Sequence, residues 1–362
     1  MTTENERRPL TTRAKVAAAA GVLASLALLG YATKPQWQPW WFAETVCGGH
    51  LSAADLDALL PAERLQPGEE ASGPDEVSCR LNTEDDHFVL NIHASTDPDD
   101  VREELESYFS IPFVDSLPFP KGIPGFEADS QLAILQECPD LPRDDQGRKR
   151  RMLTRAMGSW PDRPTGAALR TAVAMANASS AELGCGAATL PMPEKPAPAD
   201  PAGVPPRQAT GALCGWLADA PALPRNRYGR PWKAAARTGR TAPITSCRLT
   251  SDGEKSVTVE FGGWYGDWTD ELFHTLTVSS VDLPDGGPRS TEPVMSEHLG
   301  RATARCSGES ANYWVYASFS DPEQHLPARR LRELLVAFAE DQAERHGCTD
   351  LELPGRTIHP AR

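Results

Sequence analysis

The sequence predicts an α+β protein made of two copies of one disulfide-bridged module, preceded by one N-terminal transmembrane helix. The cysteines are the first evidence, because successive gaps are 32, 59 and 47 residues in the first four and 33, 59 and 42 in the second four. A repeated sequence motif is the second piece of evidence, since Ser78-Cys79-Arg80-Leu81 recurs as Ser246-Cys247-Arg248-Leu249. Both copies also share an order of helix, hairpin, short helix, two strands and long helix. Each module is therefore predicted to be an antiparallel sheet of four or more strands with helices on one side.

Composition divides the 362-residue chain into seven segments. They are a cytoplasmic tail at 1–15, a transmembrane helix at 16–33, a stalk at 34–43, a first module at 44–185, a Pro-rich linker at 186–209, a second module at 210–350 and a C-terminal tail at 351–362. The linker contains seven prolines, which predict an extended and fairly stiff connection.

The apolar run at 16–33 carries no charge and would extend about 27 Å as a helix, close to the thickness of a bilayer core. The cations that precede it predict a cytoplasmic N-terminus; they are Arg7, Arg8, Arg13 and Lys15. The aromatic residues after it suit the membrane interface; they are Trp37, Trp40, Trp41 and Phe42. A cleaved signal peptide ending near Gly30-Tyr31-Ala32 is the alternative. Either interpretation places the modules outside the cytoplasm, and the first predicts a single-pass cell-membrane protein.

Module one is predicted from capping residues and alternating apolar positions. The predicted elements are a helix at 53–60, a polar loop before Cys79, a hairpin with Phe88, Leu90 and Ile92 facing inward, a helix at 98–108, a loop at 110–126, strands at 132–138 and 152–157, and a helix at 166–183 ended by Gly184.

Module two repeats this plan with a shifted hairpin. Its return strand alternates Val257, Val259 and Phe261, one residue out of phase with module one, which predicts a one-residue insertion in the hairpin loop. The remaining predicted elements are a short helix at 270–276, strands at 301–306 and 313–319, and an amphipathic helix from Pro327 to Arg345 ended by Gly347.

Two complete sets of four cysteines predict disulfides in an oxidising compartment. A zinc site would need close pairs such as C-x-x-C, and the sequence has none. The sequential pairing is favoured, with a nested pairing of the ends and of the middle cysteines of each module as the alternative. The favoured bridges are Cys47–Cys79, Cys138–Cys185, Cys214–Cys247 and Cys306–Cys348.

Charge is unevenly distributed between the modules. Residues 44–185 carry 26 Asp and Glu against 12 Lys and Arg, whereas residues 207–362 carry 20 against 18. No large basic face is expected, so nucleic acid is excluded as a predicted partner.

A cysteine before a Leu/Ala/Asp-rich helix, a strand beginning Ser-Cys-Arg-Leu and a long C-terminal helix together resemble actinobacterial cell-envelope proteins. This group includes Cys-paired lipoproteins and the extracellular sensor domain of mycobacterial serine/threonine kinases. The chain departs from the former by lacking a lipidation cysteine and from the latter by lacking room for a kinase domain. The resemblance implies an α+β fold and an outward-facing binding or sensing role, and it supplies no catalytic residues.

No catalytic, phosphate-binding or metal-binding motif occurs in the sequence, so no catalytic residue, metal or cofactor is predicted. The acidic cluster Asp97, Asp99 and Asp100 is better explained as a helix start than as a calcium site. The best binding candidates are Trp264, Tyr265 and Trp268, because three large aromatics in five residues cannot all lie on one face of a strand. The alternative is that these side chains fill the core.

These observations favour a non-catalytic binding or sensing protein attached to the membrane, whose partner is an envelope protein or a glycan. Two alternatives stay open. One is an extracytoplasmic hydrolase whose site is assembled from scattered residues, and the other is a structural spacer in the cell wall.

Overall fold

A computed structural model describes most of the chain. The described residues are 12–59, 64–85, 87–109, 117–120, 122–128, 131–145, 147–158, 166–193, 203–209, 214–223, 231–236, 244–251, 258–270, 273–274, 277, 281–283, 292–317 and 326–361. Val257, Leu60 and parts of the predicted loop at 110–126 lie outside them.

Two consecutive helices precede module one: α1 (Thr12–Ala32) and α2 (Lys34–Thr45). In the described residues, no helix combines the length and the apolar character that crossing a bilayer requires. The segment predicted as a stalk is helical instead, and α2 buries Phe42 and Ala43 against module one. Phe42 and Ala43 of the predicted stalk thus belong to the core of the module, whereas Trp37, Trp40 and Trp41 remain exposed.

Module one contains a seven-stranded antiparallel sheet in the order β1-β2-β3-β7-β6-β5-β4. Its strands are β1 (Leu65–Ser72), β2 (Glu76–Thr83), β3 (Phe88–Ser95), β4 (Leu117–Pro118), β5 (Gly125–Ala128), β6 (Gln131–Glu137) and β7 (Arg151–Gly158). The segment of β1 was predicted to be a loop, because it is polar and contains Pro67 and Gly68. These residues are accommodated at a sheet edge, where the β1–β2 register shifts between Pro67 and Glu70.

The helices of module one lie on both faces of its sheet. They are α3 (Ala53–Leu59), α4 (Pro98–Phe109) and α5 (Gly166–Glu182). Apolar residues of α3 and α5 share the core formed with Cys79, Leu90 and Ile92, whereas α4 packs Val101 and Leu105 with the opposite face. The prediction of helices on one side was therefore wrong for α4.

Module two has a second antiparallel sheet in the order β11-β12-β13-β10-β9-β8, with β14 paired to β12. Its strands are β8 (Trp232–Ala236), β9 (Ile244–Ser251), β10 (Thr258–Tyr265), β11 (Val294–Met295), β12 (Leu299–Cys306), β13 (Glu309–Ala317) and β14 (Thr349–Glu352). The long helix α6 (Ala328–His346) follows Pro327 and ends at Gly347, whose φ is 63°. The predicted C-terminal tail pairs with the sheet, since His359 bridges Ser296.

The two sheets have the same central topology, as the duplication predicts. Strands β2-β3-β7-β6 of module one correspond to β9-β10-β13-β12 of module two. Cys79 is paired with Ile92 in the first hairpin and Cys247 with Phe261 in the second. The intervals are 13 and 14 residues, so the one-residue insertion in the second hairpin is confirmed.

All eight cysteines are paired in the favoured sequential pattern, and no bridge joins the modules. The pairs are Cys47–Cys79, Cys138–Cys185, Cys214–Cys247 and Cys306–Cys348. In each module one bridge therefore ties the N-terminal turn to the hairpin, and the other ties the end of the long helix to a strand.

The modules pack with their sheet faces toward each other. One buried apolar cluster contains Phe126, Leu135 and Leu153 of module one together with Trp264 and Trp314 of module two. We call this cluster the intermodule core. The rings of Phe126 and Trp264 have centroids 5.7 Å apart. The two sheets consequently form inner layers, while α5 and α6 cover the outer faces.

Candidate functional site: a cationic cleft between the modules

The structure separates the three aromatic residues that the sequence singles out. Trp264 is only 2% exposed and lies in the intermodule core. Tyr265 points to the opposite face of β10, where its ring stacks on His346 of α6 with centroids 4.2 Å apart. Trp268 is half-buried beyond the strand end, with its ring centroid 5.5 Å from that of Trp264.

Burial explains why these residues do not form one exposed patch. Strand residues alternate between faces, and both faces of β10 are covered, one by α6 and one by module one. A Cβ on Gly262 would lie 2.3 Å from the Trp314 ring, so this glycine allows an indole to pack against the strand. Of the three aromatics, Trp268 lines a cleft.

The cleft that Trp268 lines lies at the boundary between the modules and has a volume of about 70 Å³. Module one contributes Pro98, Val101, Arg102, Arg148, Lys149 and Arg151, and module two contributes Asp267 and Trp268. We call it the seam cleft. Its lining contains four cations and one carboxylate, although module one is strongly acidic as a whole. The volume accommodates a group of a few non-hydrogen atoms, so the remainder of any larger ligand would lie on the surface.

Two carboxylates outside this lining each bind two of the cations. Asp99 lies 3.5 Å from Arg102 and 4.0 Å from Arg148. Glu309 forms an ion pair with Lys149, at 2.9 Å, and accepts a hydrogen bond from Arg151. The carboxylates therefore orient the cationic groups and also reduce their net attraction for an anion.

The pair formed by Arg151 and Glu309 joins the modules. Their side chains are only 12% and 15% exposed. Burial alone would raise the pKa of Glu309, but Lys149 and Arg151 outweigh it and hold that pKa below its usual value. Glu309 is therefore charged near neutral pH, and Arg151 is held in place at the base of the cleft.

Arg102, Arg148 and Lys149 retain more exposure, at 43%, 34% and 45% of their side chains. Asp144 fixes the loop before β7 by accepting a 2.7 Å hydrogen bond from the backbone N–H of Arg148. These three cations are accessible to a ligand while the less exposed Arg151–Glu309 pair keeps the modules in contact.

Sequence reasoning missed this cleft although a signal was present. Arg148-Lys149-Arg150-Arg151 is a run of four cations within the acidic module. Its last residue, Arg151, begins β7, so the run is held at the end of a central strand. What the sequence could not provide was the partner surface from module two, because that depends on how the sheets pack.

A second depression lies on the other side of α4 and is acidic. Glu76, His93, Asp100 and Glu104 line it. Glu104 accepts from His93 Nδ1 at 2.7 Å and from Arg155 at 3.1 Å, and its hydrogen bond raises the pKa of His93. These contacts attach α4 to the inner sheet face. A further, apolar pocket near Pro206 and Trp232 borders residues outside the described ranges.

Asp97 acts as the cap of α4, as the helix-start interpretation predicts. Its Oδ1 accepts hydrogen bonds from the backbone N–H groups of Asp99, at 2.9 Å, and Asp100, at 3.2 Å. Within the described residues, no group of three or more His, Cys, Asp or Glu side chains is placed to hold a metal ion.

Comparison of the chain with protein-family models, with curated proteins and with solved structures finds no match. The resemblance to actinobacterial envelope proteins therefore stays a prediction.

Proposed function

We propose that the protein is a non-catalytic binding protein of the cell envelope, and that the seam cleft binds an acidic sugar. The observation that carries this proposal is the joint wall of three accessible cations and one indole. A carboxylate or phosphate group fits the cationic pocket, and the apolar face of a sugar ring fits against Trp268. Because Asp99 and Glu309 already pair with these cations, binding should be weak and sensitive to salt.

We further propose that the modules lie outside the cytoplasm and are attached to the membrane through α1. Four disulfides suit an oxidising compartment. The large apolar side chains of α1 are mostly solvent-exposed, for example Leu23 at 67% and Leu28 at 71%, and such a surface is typical of a segment that contacts lipid. Attachment would hold an envelope glycan receptor at the cell surface.

The test is a titration followed by NMR, with glucuronate as the acidic probe and glucose as its neutral match. We expect glucuronate to shift resonances of residues in the seam cleft, glucose to have little effect, and added salt to weaken the binding. Replacing two accessible cations, in Arg102→Ser combined with Lys149→Ser, should weaken binding roughly tenfold, which corresponds to about 1.4 kcal/mol.

Trp268→Leu should weaken binding without removing the charge dependence. Arg329→Ser is the matched control. Arg329 lies on α6, its side chain is 90% exposed, and it does not line the cleft. Equal responses to glucuronate and glucose, or equal loss in the Arg329 variant, would contradict an acidic-sugar site. An acidic protein segment that competes at the cleft while glucuronate does not would favour an envelope protein as the partner.

A further inference from the structure

The apolar side chains of α1 surround the whole helix. Val16, Val22, Leu23, Leu26 and Leu28 are between 58% and 71% exposed. At about 100° per residue, these positions are distributed around the full circumference of the helix. A second copy of the chain would cover one side only, whereas lipid acyl chains contact every side. Acyl chains are therefore the occupant that fits this surface.

Helix α2 has two different faces. Gln38, Pro39 and Phe42 are buried on the side of module one, and the side-chain oxygen of Gln38 accepts a 2.9 Å hydrogen bond from the backbone N–H of Leu65. Away from these buried residues the helix exposes three indoles, which are Trp37 at 42%, Trp40 at 57% and Trp41 at 50%. Indole side chains favour the boundary between acyl chains and water.

The junction between α1 and α2 is fixed to module one by polar contacts. Tyr31 donates a 2.8 Å hydrogen bond to Glu84, and the Lys34 ammonium lies 2.5 Å from the same carboxylate. The guanidinium of Arg64 lies 4.4 Å above the Tyr31 ring. Trp37 donates a 3.0 Å hydrogen bond to the carbonyl of Gly30, which braces the turn. These contacts set the direction in which α1 leaves the module.

Strand registers show which end of module one carries these contacts. Glu84 follows Thr83 at the hairpin end of β2 and β3, whereas Glu76 is paired with Ser95 at the other end. Arg151, which lines the seam cleft, begins β7 at that second end, since Ser95 is paired with Leu153. An eight-residue strand is about 26 Å long. The α1–α2 junction and the seam cleft therefore lie at opposite ends of the sheet.

We propose that Trp37, Trp40 and Trp41 form a lipid-docking surface that holds module one against the bilayer, with the seam cleft facing away from it. The proposal rests on the proposed attachment through α1 and adds to it a fixed orientation. The apolar helix enters the lipid, α2 lies at the lipid–water boundary, and the contacts of Glu84 prevent the module from swinging freely. A ligand could then reach the cleft from the side opposite the membrane.

The test is quenching of tryptophan fluorescence by brominated lipid. The full chain would be reconstituted into vesicles of phosphatidylcholine and phosphatidylglycerol, with the acyl chains brominated near the headgroup. We expect clear quenching of the wild-type protein. The combined variant Trp37→Phe, Trp40→Phe and Trp41→Phe should lose at least half of the quenched signal, because it removes the indoles at the boundary.

Two single variants serve as controls. Trp232→Phe removes an indole that is 4% exposed in module two, and Trp268→Phe removes the indole at the cleft. The quenched signal should be unchanged in both. A lowered signal in Trp268→Phe would overturn the orientation, and an undiminished signal in the triple variant would overturn the docking surface. Absence of quenching in the wild type, with dilution-dependent association, would identify a second copy as the occupant instead.

Failure of this test is distinguishable from failure of the sugar-binding proposal. The triple variant should bind glucuronate as the wild type does, since its substitutions lie at the other end of module one. Conversely, Arg102→Ser combined with Lys149→Ser should leave the lipid quenching unchanged.

Discussion

The outer faces of the two sheets are alike, whereas the inner faces differ. On the outer face, each module buries a cystine, alternating strand residues and one long helix. On the inner face, module one places His93 and Ser95 at the register positions where module two places Gly262 and Trp264. The outer face is the part that each module needs for its own folding. The inner faces form the contact between the modules, to which module one contributes α4 and module two contributes large aromatic side chains.

The largest expected effect is the difference in stability loss between substituting Trp264 and substituting its counterpart in module one, Ser95. Trp264→Ala should lower the free energy of unfolding by about 3–5 kcal/mol, because it leaves a cavity between Phe126 and Phe273. Ser95→Ala should cost about 1 kcal/mol, since it removes one hydrogen bond to the backbone N–H of Asp97. Urea denaturation of both variants gives the comparison. Similar losses in the two variants would show that the indole does not hold the modules together.

The disulfides provide the opposite comparison, because here the modules should behave alike. The bridged cysteines are 32 residues apart in Cys47–Cys79 and 33 residues apart in Cys214–Cys247, so the two closed loops are of nearly equal length. Replacing either pair by serine should lower stability by about 3–4 kcal/mol in the chain-entropy account. Thermal unfolding of the two double variants measures this. A difference well above 1 kcal/mol between them would indicate that one module depends more strongly on its N-terminal bridge.

The sequence contains enough information to predict what is repeated. Cysteine spacing predicted the duplication, and the phase of Val259 and Phe261 predicted the hairpin insertion; the sequential bridges were the favoured one of two pairings that the sequence left open. Helix ends followed from Pro327, Gly184 and Gly347, because their backbone preferences act locally. These features depend on residues near one another in the chain or on a pattern that occurs twice.

The contact between the sheets could not be derived in the same way. The apolar run Leu132-Ala133-Ile134-Leu135 does indicate a strand covered on both faces, but it does not identify what covers it. Three aromatic side chains near the end of β10, Trp264, Tyr265 and Trp268, could equally be core or surface until the partner face is known. The seam cleft was inaccessible to sequence reasoning for this reason, since its walls come from separate modules.

The smallest expected effect is a pH dependence that belongs to module one alone. His93 on β3 contacts Glu104 of α4 and lies 3.5 Å from Glu76 of β2. Arg155 of β7 and Asp100 of α4 are also near and act on its charge. The hydrogen bond to Glu104 raises the pKa of His93 despite its burial. The folded protein therefore holds this proton more tightly than the unfolded chain does.

This contribution to stability is fully present below the ordinary histidine pKa of about 6.5 and is lost as the pH rises through the raised value. We expect His93→Gln to destabilise the protein more at pH 5.5 than at pH 8.5, by about 1 kcal/mol or less, as for a single partly exposed ion pair. Urea denaturation at both pH values tests this, with Glu104→Gln as the partner variant. The wild type and the His93→Gln variant share the other seven histidines, so the titration of those residues cancels when the two unfolding free energies are subtracted. Equal destabilisation at the two pH values would show that the His93–Glu104 contact does not depend on charge, and that the inner faces differ in packing alone.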